Sequence, residues 1–399
     1  MTTTTDGEVR SWCAAMSERL TDRAAEAEDL RRLPDATIDD AVDAGLFAMV
    51  VPTSLGGQGL GLDTLAHSTR ILAHGCPASA WTLSFLVMHS WLLTRFPAEA
   101  RAELFSAERP WALTPAPLAP TGTLRAVDGG YRLSGRWEWA TGVCHADWVM
   151  VHAVIDGRPP GSDAGSELVT SFAVVPRSEV EVDDVWFTSG MRATGSNTVR
   201  IDDVFVPEHR TLAATTWMAA GAPLDGDGMA GLAVLPVLAL VAAAPALGAA
   251  EAAVDLFRER MAERVLAYTL GDHQRDQPAA QVRLATAMSD LTSARARWEA
   301  ALSDVMAAAA GPAGPRELTL DERAAVRLSA AATVRSARDV ITTVCDGSGA
   351  SVYRTSSPLQ RLQRDVEVLK GHVIFDWDRT AELVGRVALG LPLRPTDMI

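Results

Sequence analysis

Three side chains have the chemistry to hold or move a proton and stand in unusual surroundings. His89 is the one imidazole in a nearly apolar run, Ala78-Ser-Ala-Trp-Thr-Leu-Ser-Phe-Leu-Val-Met-His-Ser-Trp91. His372 stands in Arg364-Asp-Val-Glu-Val-Leu-Lys-Gly-His-Val-Ile-Phe-Asp-Trp377. Thr141 follows a tryptophan in Trp139-Ala-Thr-Gly142. An imidazole titrates near neutrality, so it can act as a general acid or base. A threonine hydroxyl donates one hydrogen bond and accepts others. Each residue also has a plain structural reading. A lone histidine on an apolar helix is often a satisfied core group, and a strand tryptophan is often simple core.

Other chemistries find less support. The four cysteines, Cys13, Cys76, Cys144 and Cys345, are scattered without a CxxC pair. That spacing fits free thiols in a reducing cytoplasm rather than a disulfide frame or a metal site, and no metal is expected. A net charge of -14 argues against nucleic acid and anionic membrane surfaces as partners. The N-terminus, MTTTTDGEVR, has no apolar core of a signal peptide. Gly228 to Ala250 carries no charge and is long enough to span a bilayer. Its Ala, Gly and Pro content and the lack of a flanking basic cluster point instead to a helix buried all round.

The elements that would position these residues fall into blocks. Residues 1–110 read as an N-terminal α-helical domain, with Trp12, Met16, Leu20 and Ala24 at four-residue spacing. Residues 111–212 read as a compact, barrel-like antiparallel β-domain of short runs: 111–114, 130–139, 148–155, 171–175, 180–187 and 198–206. A surface excursion is expected at 156–167, and 213–228 reads as a linker. From 229 to 399 the pattern is helical, with long helices at 229–268, 276–309 and 321–348 and a last one at 358–388. Long helices with short connections suggest a C-terminal four-helix bundle. Within that last helix His372 would lie seven residues, about two turns, beyond Asp365 and on its face.

Two segments carry a family resemblance. Gly130-Tyr-Arg-Leu-Ser-Gly-Arg-Trp-Glu-Trp-Ala-Thr-Gly142 and Gly190-Met-Arg-Ala-Thr-Gly-Ser-Asn-Thr-Val-Arg-Ile-Asp-Asp-Val-Phe-Val-Pro207 resemble the middle β-domain of the acyl-CoA dehydrogenase superfamily. The order α, β, α-bundle is that family's architecture, an α+β multidomain fold, and the resemblance covers essentially the whole chain. The dehydrogenase branch carries Thr-Glu-Pro-x-Ala-Gly-Ser-Asp and a catalytic Tyr-Glu-Gly-Thr. Here the first run reads Leu113-Thr-Pro-Ala-Pro-Leu-Ala-Pro-Thr-Gly122, and the second keeps Arg364-Asp365 but has no Glu-Gly-Thr. Ala140-Thr-Gly-Val-Cys-His-Ala-Asp-Trp148 and the histidine of the C-terminal run resemble another branch, the two-component flavin monooxygenases related to the oxygenase component of 4-hydroxyphenylacetate hydroxylase.

That resemblance implies an oxygenase that takes reduced FMN or FAD from a separate flavin reductase, by diffusion, and reacts it with dioxygen. The C4a-hydroperoxide so formed would hydroxylate an aromatic or polyketide-like small molecule. Trp139 would cover one flavin face, and the Thr141 hydroxyl, beside Gly142, would meet the N5/O4 edge. Ser171 would lie beside the flavin. Arg264 or Arg275 would reach its phosphate, and Gly347 and Gly349 would touch it across a contact in a homotetramer. His372 would support the hydroperoxide, and His89 would take a proton from substrate. His145 and Asp147 read as caps or pairs within the β-domain. Three rivals stay open: an N-oxygenase of an amine or amino sugar, an acyl-CoA dehydrogenase with a displaced base such as Glu367, and a non-catalytic scaffold.

Overall fold

The computed structural model describes residues 5–156, 169–221, 223–311, 315–394 and 397–399. The excursion expected at 156–167 lies outside the described residues from position 157 onward. The chain opens with α1 (Asp6–Leu30), started by a capping box in which Thr5 and Glu8 exchange hydrogen bonds. Its buried Cys13, Met16, Leu20, Ala24 and Ala27 recur at three- and four-residue steps, the pattern of one helix face. Then come α2 (Asp35–Asp43), α3 (Leu62–Gly75), α4 (Pro77–Leu93) and α5 (Ala98–Leu104). All 17 residues of α4 are buried, so it has no solvent face to make polar.

One seven-stranded sheet follows: β1 (Gly122–Val127), β2 (Gly130–Ala140), β3 (Trp148–Asp156), β4 (Thr170–Pro176), β5 (Glu181–Asp183), β6 (Asn197–Pro207) and β7 (Thr211–Ala213), in the order β5-β6-β2-β1-β3-β4-β7. The sheet is antiparallel as expected, save for one parallel pair, β1 with β3. The cause is the path of the chain. β1 and β2 form a tight hairpin over Asp128-Gly129, with Gly129 at φ 76°. The chain then crosses to the far side of β1 and arrives running in its direction. Two further differences are local. Residues 111–114 form no strand, because the Leu113 carbonyl accepts from the Asp147 and Trp148 N–H groups instead of entering a ladder. The 180–187 run is a strand only over β5, and β1 was not expected.

A short helix, α6 (Ala214–Met218), lies in the expected linker. α7 (Val234–Glu263), α8 (Pro278–Ala309), α9 (Leu320–Ser348) and α10 (Pro358–Leu369) form the bundle, and α11 (Trp377–Ala388) packs on α9. The apolar stretch of α7, from Val237 to Ala250, is buried against α3 and α9. The single helix expected over 358–388 is therefore two. α10 stops before Gly371, and Asp376 caps a fresh start by accepting from the Arg379 N–H at 3.0 Å. His372 stands in the turn between them, not on the helix of Asp365.

One loop of the β-domain docks on the bundle. The Met191 N–H donates to the buried Asp365 carboxylate at 2.5 Å. Met191 holds φ at 52°, a left-handed conformation, to make that contact. Gly190 passes so close that a Cβ there would stand 2.0 Å from the Arg364 carbonyl oxygen. Arg364 in turn bonds the Ser189 carbonyl and Glu28 at the end of α1, so three parts of the chain meet here. Gly190→Ala must push these backbones apart, and overpacking of this kind destabilises by about 1–3 kcal/mol. A thermal melt should show a midpoint several degrees below wild type. An unchanged midpoint would mean the approach is loose.

Candidate active site

The site begins with an irregularity in β2. Trp137 pairs with Val199 and Ala140 with Asn197, so β2 takes three steps where β6 takes two. That is a β-bulge, a device that re-aims side chains. Inside it Trp139 has φ 64°. A bulky residue in the left-handed region costs about 1–3 kcal/mol and persists only where the surroundings enforce it. Trp139 is 63% exposed, whereas Trp137 is buried and donates from its indole to the His152 carbonyl at 2.7 Å. Trp139 thus combines a strained backbone with an exposed indole.

Beyond the bulge the chain turns inward. Thr141 is buried, and its Oγ1 lies 2.9 Å from Ser196 Oγ. Ser196 Oγ lies 2.7 Å from Thr194 Oγ1, which donates to the Met191 carbonyl at 2.9 Å. Gly142 has φ 76°, and its N–H donates to the Thr194 carbonyl at 2.9 Å. A Cβ on Gly142 would come within 3.3 Å of Leu86 and Thr82, so the end of β2 lies against α4.

α4 supplies an aromatic wall. Trp81, Phe85 and His89 recur at four-residue spacing and therefore share one face. The Trp81 and Phe85 rings stack at 4.4 Å, and Phe85 meets His89 edge-on at 5.4 Å. At the other end Trp81 meets His372 edge-on at 5.5 Å. One continuous wall thus runs from His89 to His372.

The two imidazoles at its ends differ in proton placement. His89 Nδ1 lies 2.6 Å from the Thr114 carbonyl oxygen. A carbonyl only accepts, so Nδ1 carries the proton and Nε2 is left as an acceptor. His372 Nδ1 accepts the Ile374 N–H at 3.3 Å, so its proton sits on Nε2. Burial pushes His89 down to about 4. Burial, with the Arg327 guanidinium as a lesser cause, does the same to His372. Both rings are neutral near pH 7, one able to take a proton at Nε2 and the other to donate from Nε2.

The remaining candidates separate. Arg264 donates to the Ser348 carbonyl at 2.7 Å, and Gln274 donates to the Gly347 carbonyl at 2.7 Å. Gly349 has φ 72° with the Arg264 guanidinium against it. Arg264, Gly347 and Gly349 thus form one cluster around the end of α9. Among the described residues, no hydrogen bond or ring contact joins that cluster to Thr141 or the two histidines. Arg275 is exposed and reaches the Ala262 carbonyl. Ser171 is buried and bonds the Phe172 carbonyl at 3.2 Å. Asp147 accepts from Arg109 at 2.6 Å and from the Leu113 N–H at 3.0 Å, and burial depresses His145 to about 4. Glu367 is paired with Arg338 at 2.6 Å and Lys370 at 2.8 Å, which leaves it poorly suited to serve as a base.

Sequence reading passed over Trp81, Phe85, Thr194 and Ser196. Their signals were present: aromatic, aromatic, histidine at four-residue steps, and two hydroxyls inside the 190–207 motif.

Comparison with known proteins bears on this geometry. The family models described as acyl-CoA dehydrogenase, N-terminal domain, and acyl-CoA dehydrogenase, C-terminal domain, match residues 7–105 and 240–377. The chain is 33% identical over 400 residues, 98% of each chain, to a flavin-dependent monooxygenase, oxygenase subunit HsaA, of Mycobacterium tuberculosis. It is 30% identical over 382 residues to the p-hydroxyphenylacetate 3-hydroxylase, oxygenase component, of Acinetobacter baumannii, 95% of this chain and 88% of that one. XiaF from Streptomyces sp., solved with FADH2 and glycerol, superposes with a TM-score of 0.87 at 29% identity, covering 98% of each chain.

The depressed histidines set a pH dependence. Each has a folded-state value near 4 against an ordinary 6.5, so the unfolded chain takes up the proton first. Their contribution is complete above pH 6.5 and is lost as pH falls towards 4. Asp365, raised by burial to about 7, acts in the opposite sense: its contribution is complete below its ordinary 3.8 and fades as pH rises through 7. Thermal midpoints should fall from pH 6.5 to 4.5, and less steeply in His372→Asn than in wild type. Equal slopes would show that His372 titrates as if in water.

Proposed function

The chain belongs to the flavin-dependent monooxygenases of the acyl-CoA dehydrogenase family, and from that premise we propose that it hydroxylates a small aromatic molecule bearing an ionisable hydroxyl. The observation that carries this reading is the pair of neutral histidines of opposite tautomer at the two ends of one aromatic wall.

The residues fit a bound flavin. A flat ring system needs an apolar face, a polar edge contact and a backbone that leaves room. Trp139 offers the face, Thr141 the edge, and Gly142 and the bulge the room. Reduced FMN or FAD, brought by a separate reductase, supplies there the electrons that let dioxygen give one oxygen atom to the substrate. The protein does the rest. His89 Nε2 accepts a hydrogen bond from the substrate hydroxyl, which draws its proton off the oxygen and enriches the ring at the position to be attacked. His372 donates a hydrogen bond from Nε2 into the site. Trp81, Phe85 and Trp139 keep water out, which protects reactive species from hydrolysis. The engagement of Glu367 by two cations weighs against a displaced dehydrogenase base.

Assembly and location belong to the same reading. Tyr268 and Leu270 are fully exposed in the loop beside Arg264. A homotetramer would cover them and bring Arg264, Gly347 and Gly349 to the flavin of a neighbouring copy. Cys13, Cys76, Cys144 and Cys345 are free, as suits the cytoplasm.

Oxygen uptake should require reduced flavin, and product should form with a phenol. His89→Ala should slow hydroxylation by about 10²–10⁴-fold while flavin still binds. Trp139→Ala should divert oxygen to hydrogen peroxide. Light scattering should give a tetramer mass. Anaerobic oxidation of an acyl-CoA would overturn the reading.

A further inference from the structure

We propose that the buried hydroxyl chain Thr194–Ser196–Thr141 makes Thr141 a pure hydrogen-bond acceptor towards the flavin, and thereby selects the reduced cofactor over the oxidised one. This rests on the reading that Thr141 faces the flavin edge, and it adds to that reading a direction for every proton.

The direction follows from counting hydrogens. Each hydroxyl has one proton to give. Thr194 Oγ1 lies 2.9 Å from the Met191 carbonyl oxygen, which has no proton, so Thr194 must be the donor there. Its oxygen is then available to Ser196, 2.7 Å away, only as an acceptor, and Ser196 donates to it. With its proton so placed, Ser196 can only accept from Thr141 at 2.9 Å. Thr141 therefore directs its own proton inward, away from the site. What it presents outward is lone pairs.

Geometry opposes a reversed chain: the Met191 carbonyl oxygen is fixed in place by the Thr194 N–H at 3.1 Å and the Trp186 indole N–H at 2.9 Å, and reversal would leave the Thr194 and Met191 oxygens 2.9 Å apart with no proton between them. Met191 itself is anchored through its N–H to Asp365. Thr141, Ser196 and Thr194 are 7%, 5% and 2% exposed, which leaves water little access to offer alternative partners.

An outward-facing acceptor discriminates between flavin oxidation states. On the edge that carries N5 and O4, O4 accepts in both states. N5 is an acceptor in the oxidised ring and an N–H donor in the reduced ring. Thr141 can bond N5–H of reduced flavin, whereas oxidised flavin meets it lone pair to lone pair. A buried polar group left without its bond is penalised more than a formed bond gains. The protein would thus hold the flavin its reductase delivers and release it once oxidised, as a flavin shared by diffusion requires.

The test is the ratio of dissociation constants, oxidised over reduced, measured anaerobically, with the midpoint potential of the bound flavin as a second readout. Wild type should favour reduced flavin by about tenfold or more. Thr194→Val removes the terminal donor while keeping shape, and it does not touch the flavin. It should let the chain reverse and lower the ratio about five- to tenfold. The bound potential should fall by about 30 mV for each tenfold. Thr194→Ser keeps the hydroxyl and should keep the ratio, which a merely structural role would not require. Should Thr194→Val fail to fold, Ser196→Ala breaks the chain at the next link and should give the same change. If Thr141→Val weakens reduced flavin but the Thr194 and Ser196 variants keep the wild-type ratio, the relay is wrong and the flavin site stands. If Thr141→Val changes affinity for neither form, the flavin reading itself has failed.

Discussion

A buried carboxylate beneath one peptide N–H, Asp365 under Met191, sets the geometry on which the site depends. A hydrogen bond of this kind contributes about 0.5–1.5 kcal/mol, and losing one partner leaves the other buried and unpaired. This contact holds Met191 in a left-handed conformation and seats Gly190 against the Arg364 carbonyl. From Met191 the chain of hydroxyls runs to Thr141, and from Thr194 a backbone bond runs to Gly142. The end of β2, the loop before β6 and the end of α10 are therefore one mechanical unit.

Removal of water does the chemical tuning. α4 is buried along its whole length, and its aromatic face separates two histidines that burial keeps neutral. Their tautomers differ because their backbone neighbours differ: a carbonyl at His89 and an N–H at His372. Neutral rings suit a site where a proton must leave a substrate hydroxyl and a hydrogen bond must be offered elsewhere. The left-handed Trp139 adds strain that the fold pays for with the bulge and the bonded turn behind it.

Much of this was legible in the sequence, for reasons that differ by element. Helices with a repeating apolar face and strands with alternation declared themselves, and the two motifs at 130–142 and 190–207 pointed to β2 and its partner strand, though not to the bulge between them. The break before His372 did not show, because Gly371 alone is a weak stop and Asp376 reads as an ordinary helical charge. The parallel pair of β1 and β3 depends on where the chain crosses, which local pattern does not encode. Thr194 and Ser196 were visible as residues, but their linkage to Thr141 needs three-dimensional proximity. Ser171 was visible as a polar residue at a strand start, but its bond to the Phe172 carbonyl needs the folded strand to be seen.

The central claim is that this site transfers an oxygen atom from dioxygen to an aromatic ring. The most direct measurement is isotopic: turnover of a phenol with reduced flavin under ¹⁸O₂ in ordinary water, read by mass spectrometry of the product. The account predicts one heavy oxygen in each hydroxylated product molecule and none when the label is moved to water. Label arriving from water, or product formed without dioxygen, would contradict it.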